Sequence, residues 1–172
     1  MRLLKTITDS DFEGGAPEYL GAVSRCASRG VLVDRESNVA MMYMAKMGAY
    51  KLPGGGIGEG EHPRAAFLRE IREETGCEAE IVRELGRIEE HKNKNGFMQL
   101  SYCYIAEARG SGAASLTESE VRLGMAVEWM APGQALEALD RAARSCREYG
   151  MKFMLLRDRT IVERALPLLR KW

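Results

Sequence analysis

Three glutamates within five residues, Glu70, Glu73 and Glu74, are the side chains of this sequence best suited to chemistry. On a helix at about 100° per residue they project within an arc of about 100°. Like charges on one exposed stripe repel by roughly a few tenths of a kcal/mol per pair. Divalent cations offset that repulsion and take hard oxygen ligands of this type. Phe67, Leu68, Ile71 and Thr75 fall on the other side, where they can seat the helix on a sheet. Ala66 lies one turn before Glu70, and its small side chain leaves the acidic face open. The same stripe also reads as a solvated face with Arg69 and Arg72 as intrahelical partners, and taken alone it favours that reading.

Positioning such a stripe requires a helix with defined ends and a sheet beneath it. Pro63 suits the first turn and Gly76 the position just past the end, so the spacing predicts a helix over 63–75. Ahead of it, Gly54, Gly55, Gly56, Gly58 and Gly60 exclude regular structure. Segments 20–34 and 39–47 flank a turn at Asp34–Asn38 and read as a hairpin, its methionines Met41, Met42, Met44 and Met47 filling core. Strands are expected over 79–90, 97–107 and 126–130, a loop over Arg109–Ser115, and helices over about 133–146 and 148–165. Hairpin strands mixed with helices predict an α/β fold, a mixed sheet with helices packed on it. Residues 1–18 read as an N-terminal arm or edge strand, and 19–172 as a single domain.

Composition narrows the partners. Lys plus Arg equals Asp plus Glu at 25 each, so no global field favours membrane or extended nucleic acid. The longest apolar stretch, Val39 to Ala45, falls far short of the roughly 20 residues that span a bilayer. No hydrophobic signal region follows Arg2 and Lys5, and a cytoplasmic protein is expected. Cys26, Cys77, Cys103 and Cys146 form no C-x-x-C pair and read as reduced thiols. With His62 and His91 the only histidines, both read as surface residues, a zinc site is not expected.

The wider pattern is more specific. Gly55, five residues, Glu61, seven residues, then Arg69-Glu70-Ile71-Arg72-Glu73-Glu74-Thr75-Gly76-Cys77 meets every fixed position of G-x5-E-x7-R-E-U-x-E-E-x-G-U, with Cys77 in place of a larger aliphatic at the last U. The sequence therefore resembles the Nudix hydrolases. Tyr50-Lys51-Leu52-Pro53-Gly54-Gly55-Gly56, Leu116–Glu120 followed by Trp129, and the final helix with Phe153 and Arg157-Asp158 extend the likeness over about residues 20–165.

The resemblance implies an α/β/α sandwich with a mixed central sheet, the box forming loop, helix and loop. It also implies hydrolysis of a pyrophosphate bond in a nucleoside diphosphate derivative with Mg²⁺ or Mn²⁺. Carried over residue by residue, Glu70, Glu73 and Glu74 are metal-binding carboxylates with the Gly55 carbonyl as a further ligand, while Glu61 and Arg69 orient the box. The proton acceptor is Glu70 or Glu73 in the box, or Glu120 on the later loop with Glu118 close by. Lys51 and Arg25 are candidates for phosphate; Tyr102, Tyr50 and Tyr104 are candidates for stacking on a base. A small nucleotide, foremost an oxidised or non-canonical nucleoside triphosphate, is the expected substrate. ADP-ribose, sugar nucleotides, dinucleotides, an RNA end, or a non-catalytic nucleotide-binding role are the alternatives, and a homodimer stays open.

Overall fold

A computed structural model describes residues 1–169, so the last three residues of the expected 19–172 domain lie outside it. Its mixed sheet is built around β2 (Arg25–Val33) and β7 (Phe97–Ser111), which pair in parallel from Arg25↔Gln99 to Val33↔Glu107. β6 (Cys77–Lys92) runs antiparallel to β7, and β1 (Leu3–Thr8) closes that edge in parallel with β6. On the other side, β3 (Val39–Met44) pairs with β4 (Ala49–Lys51) and with β8 (Met125–Met130), while Gly54–Gly56, contrary to the expectation that these glycines exclude regular structure, form the short strand β5 that returns to pair with β2.

Side-chain alternation on the central strands assigns the two faces. Val31, Val33, Cys103 and Ile105 pack with Leu139, Phe153 and Ile161 of α4 (Pro132–Ser145) and α5 (Tyr149–Leu169). Leu32, Tyr104 and Ala106 pack with Phe67 and Ile71 of α2 (Pro63–Thr75). Helices therefore cover both faces, as the α/β/α expectation requires. Each such fully buried large side chain contributes about 1.5–3 kcal/mol. Two short helices, α1 (Ser10–Glu13) and α3 (Glu118–Arg122), complete the elements.

The helix that carries the glutamates has the bounds the sequence predicts. Pro63 opens it, and Gly76 closes it at φ 74°, donating its N–H to Arg72 O. His62 is exposed as expected, and its Nδ1 caps the first turn by accepting from Arg64 N at 3.2 Å.

Several local expectations need correction. The chain does not become a strand at residue 20: residues 14–24 form an irregular strap, and β2 begins at Arg25. His91 is buried rather than at the surface, because that strap covers it. Its Nδ1 accepts from Leu20 N at 2.9 Å, and the Tyr19 ring stands edge-on to it at 5.4 Å. The Arg109–Ser115 loop starts late, since Arg109–Ser111 belong to β7, held by the pairing of Ser111 with Cys77. All four thiols are free: Cys77 and Cys103 are buried, Cys26 and Cys146 half-buried.

Candidate active site

The box residues come together where α2 lies against the glycine segment. β5 sits so close to β2 that a Cβ on Gly54 would lie 2.3 Å from the Arg29 Cβ and 2.5 Å from Ser28 O. Gly54 also has φ 141°, a conformation side chains disfavour. At Gly55 a Cβ would lie 2.4 Å from Glu70 Oε1 and 2.7 Å from Oε2. The carboxylate of Glu70 thus occupies the space a side chain at position 55 would take.

Arg69 is the organising cation. Its guanidinium makes a paired contact with Glu61, Nε to Oε1 at 2.8 Å and Nη2 to Oε2 at 3.0 Å, and Nη2 also donates to Gly56 O at 3.0 Å. Its Nη1 donates to Glu70 Oε1 at 2.9 Å and to Glu73 Oε2 at 3.0 Å. Glu61 further accepts from Gly58 N at 2.8 Å. The Arg69 contacts, with that backbone N–H, hold the Glu61 carboxyl down at about 2. Surrounded by carboxylates, the Arg69 guanidinium is held above its ordinary value. The structural role expected of Glu61 and Arg69 is visible here: together they tie the glycine segment to the helix.

Glu74 is placed differently. It is 2% exposed, with Oε2 accepting from Gly54 N at 2.8 Å and Oε1 from Lys51 Nζ at 2.5 Å. Burial pushes its carboxyl up, against the downward pull of the Lys51 ammonium and the Gly54 N–H. Lys51, expected at phosphate, also donates to Gly54 O at 3.3 Å. The acidic stripe is therefore only partly open: Ala66 and Glu70 are buried as well, while the Glu73 side chain stays 40% exposed. Glu70 and Glu73 are brought together on Arg69, with Gly55 beside Glu70, while Glu74 turns to Lys51. Among the described residues no three Asp, Glu, His or Cys side chains converge closely enough to hold a metal.

The remaining candidates lie apart. Glu120 sits in the first turn of α3, where its Oε2 accepts from Thr117 N at 2.8 Å and its N–H donates to Thr117 Oγ1 at 3.3 Å, a capping box. Glu118 pairs with Arg122 at 3.0 Å. Tyr102 is half-buried on the α2 face of β7, opposite Ser28, and packs beside Phe67 and Tyr104. Tyr50 lies on β4 against Tyr43, its hydroxyl donating to Glu128 at 2.6 Å.

Sequence reasoning left one polar group without a role. Asp158 of α5 is fully buried and accepts from Leu52 N at 2.8 Å, just before the glycine segment. Arg157, Glu90, Gln99 and Arg29, all buried, surround it. The available signal was a pair of charges, Arg157 and Asp158, between Phe153 and Ile161 on the packed face of a helix.

With this geometry in view, the comparison with known families is decisive: the NUDIX domain profile matches residues 22–149. The chain belongs to the NUDIX family. RNA pyrophosphohydrolase from Cereibacter sphaeroides is 46% identical over 54 residues, 30% of this chain and 33% of that protein. The match thus spans about a third of such a relative's length. A MutT-like protein from Streptomyces ambofaciens is 28% identical over 139 residues, 73% of this chain and 84% of that protein. Among solved structures, a NUDIX-family hydrolase from Clostridium perfringens aligns with TM-score 0.54 at 13% identity, over 83% of this chain and 98% of that one. A NUDIX hydrolase from Nitrosomonas europaea aligns with TM-score 0.55 at 18% identity, over 67% and 78%. These two likenesses bear on the NUDIX fold alone. The matched residues end at Tyr149, where α5 begins, so Arg157 and Asp158 lie beyond them.

Proposed function

We propose that this NUDIX protein hydrolyses a phosphoanhydride bond of a nucleoside diphosphate derivative with Mg²⁺ or Mn²⁺, foremost a nucleoside triphosphate to the monophosphate and pyrophosphate. The observation that carries this is the Gly55–Glu70 cradle, in which the missing side chain lets main chain and carboxylate share one site beside Glu73. Hard oxygens from backbone and carboxylate are the donor set such cations prefer. Glu70, Glu73 and the Gly55 carbonyl would hold the cation, and Glu74, one turn on, would join them only by giving up Lys51 or the Gly54 N–H. Bound there, it would neutralise phosphoryl oxygens and acidify water.

The chain's own groups account for the rest. Glu70 or Glu73 accepts the proton of the attacking water. We assign the base to the box because Glu120 is engaged by its own helix cap. Arg69 holds both carboxylates beside the glycine segment, and Lys51 places an ammonium between Gly54 O and Glu74. A 5′-triphosphorylated RNA end is the second reading, favoured by the 46% identity to RNA pyrophosphohydrolase across 54 residues.

The test is a substrate panel with Mg²⁺: nucleoside triphosphates, oxidised deoxynucleotides, ADP-ribose, sugar nucleotides, dinucleoside polyphosphates and triphosphorylated RNA, with phosphorus products resolved. Pyrophosphate and a monophosphate from free nucleotides support the leading reading. Pyrophosphate released from RNA alone moves the assignment to RNA ends. A monophosphate and a phosphosugar with triphosphates untouched moves it to the diphosphate-sugar class, and no product with either cation overturns the catalytic assignment.

A further inference from the structure

Behind the glycine segment, on the α5 face of the sheet, lies a buried ionic network that the chemistry above does not use. Asp158 Oδ1 accepts from Arg157 Nε at 2.8 Å. Arg157 Nη1 reaches Glu90 Oε2 at 3.3 Å, and the same oxygen accepts from Gln99 Nε2 at 2.9 Å. Lys92 Nζ stands 3.6 Å from Glu90 Oε1. Arg29, whose Nε has no hydrogen-bond partner among the described residues, lies on β2 directly opposite Gly54. Burial and the neighbouring Arg157 lower Arg29 to about 10, against the pull of Asp158 and Glu90.

Such a network is a poor way to gain stability. Desolvating charges costs several kcal/mol per ion, and well-packed apolar residues of similar volume are often at least as stable. Its geometry nonetheless has one direct outlet toward the site. Asp158 uses one oxygen for Arg157 and the other for the main chain, and the N–H it holds, that of fully buried Leu52, would otherwise be an orphan donor. Leu52 is followed by Pro53, whose carbonyl accepts from Gly30 N at 3.3 Å, and then by Gly54 and Gly55. The segment is thus held from the α5 side by Asp158, from β2 by the Gly30 N–H and the Arg29 main chain, and from α2 by Glu74.

We infer that Asp158 is a positioning residue: by binding the Leu52 amide it sets the Gly54–Gly56 main chain at the distance from Glu70 that the site requires. This rests on the proposed role of Gly55 and Glu70, and it gives the C-terminal helix, beyond the matched NUDIX residues, a part in that site. The Arg157 guanidinium aims the Asp158 carboxylate through its Nε–H, and Glu90, itself held by Gln99, fixes Arg157 in turn.

Three variants of the full chain separate positioning from simple stability. Asp158→Asn and Asp158→Leu both break the ion pair with Arg157, but only Asn retains a carbonyl oxygen for the Leu52 N–H. Replacing Leu52 by its α-hydroxy acid removes that N–H and leaves the ionic network whole. Two readouts are taken: hydrogen exchange of the Gly54, Gly55 and Gly56 amides without metal, and Mn²⁺ affinity from paramagnetic broadening of nearby resonances. Asp158→Leu and the ester variant should each speed exchange at these glycines, and weaken Mn²⁺ binding, by about tenfold or more. Asp158→Asn should stay within about threefold of wild type in both.

Wild-type exchange and affinity in the Leu and ester variants would overturn the inference, as would Asn behaving like Leu while its Leu52 amide proton still shows the hydrogen bond. If Asp158→Leu does not fold, the ester variant decides alone. If wild type binds no Mn²⁺ near Gly55, the metal reading falls, and the exchange rates still decide whether Asp158 positions the segment.

Discussion

Gly55→Ala tests the site at its tightest contact. The new Cβ would lie 2.4 Å from Glu70 Oε1, whereas ordinary contact begins near 3.4 Å, so the carboxylate must retreat by about 1 Å. Gly55 is not among the positive-φ glycines, so its backbone accepts alanine without strain and the effect is one of volume. Glu70 cannot retreat freely, because its Oε1 accepts from Arg69 Nη1, which also holds Glu73. A displacement of about 1 Å at a reacting group costs on the order of a hundredfold in rate, or about 2.7 kcal/mol of transition-state stabilisation. Overpacking costs about 1–3 kcal/mol of folding stability, so the variant should melt lower and remain folded. The assay is steady-state turnover on the substrate identified by the panel, alongside a thermal melt. Gly58→Ala is the control, since its nearest neighbour stands at 3.4 Å, and it should turn over within about threefold of wild type. Turnover of Gly55→Ala within that same range would refute the idea that Glu70 needs the space left by the missing side chain.

Three further outcomes follow from the same geometry. Glu120→Gln keeps a capping-box residue at its position while removing the carboxylate, so turnover should hold within about twofold; a loss near a hundredfold would return the base role to Glu120. Lys51→Met leaves the Glu74 carboxyl buried without its cation, and denaturant unfolding should report a loss of about 3 kcal/mol; a loss under about 1 kcal/mol would show the pair to be dispensable. Glu61, held at about 2 against an ordinary 4.5, binds a proton more readily when unfolded, so its contribution is complete above about pH 4.5 and drains away as pH falls toward 2. Glu61→Gln should flatten that part of the stability–pH curve, and an unaltered slope would remove Glu61 as its source.

How much of this was legible in the sequence depends on whether its causes are local. The helix over 63–75 was, because Pro63 and Gly76 mark its ends within its own span. The strand β7 was, because residues along 97–107 alternate between the two covered faces of the sheet. What failed depended on residues far away in the chain. His91 looks like a surface residue until the strap brings Leu20 and Tyr19 over it. Ala66 looks like a gap on an open face, yet in the folded chain it is fully buried. The Leu52–Asp158 bond spans 106 positions, and no spacing rule within the NUDIX box refers to it.

Helical angle gathers Glu70, Glu73 and Glu74 on one stripe without distinguishing them, and their different circumstances come from the chain opposite. Gly54 presents an N–H, which binds a carboxylate and holds it, so Glu74 becomes a latch whose charge Lys51 balances. Gly55 presents the absence of a side chain, which admits a carboxylate without binding it, so Glu70 lies against main chain with Arg69 as its donor. Adjacent glycines thus do opposite things to glutamates one turn apart. A segment displaced by one residue would exchange those surroundings, which is why the register of β5 on β2, and whatever anchors Leu52 ahead of it, matters as much to this site as the glutamates themselves.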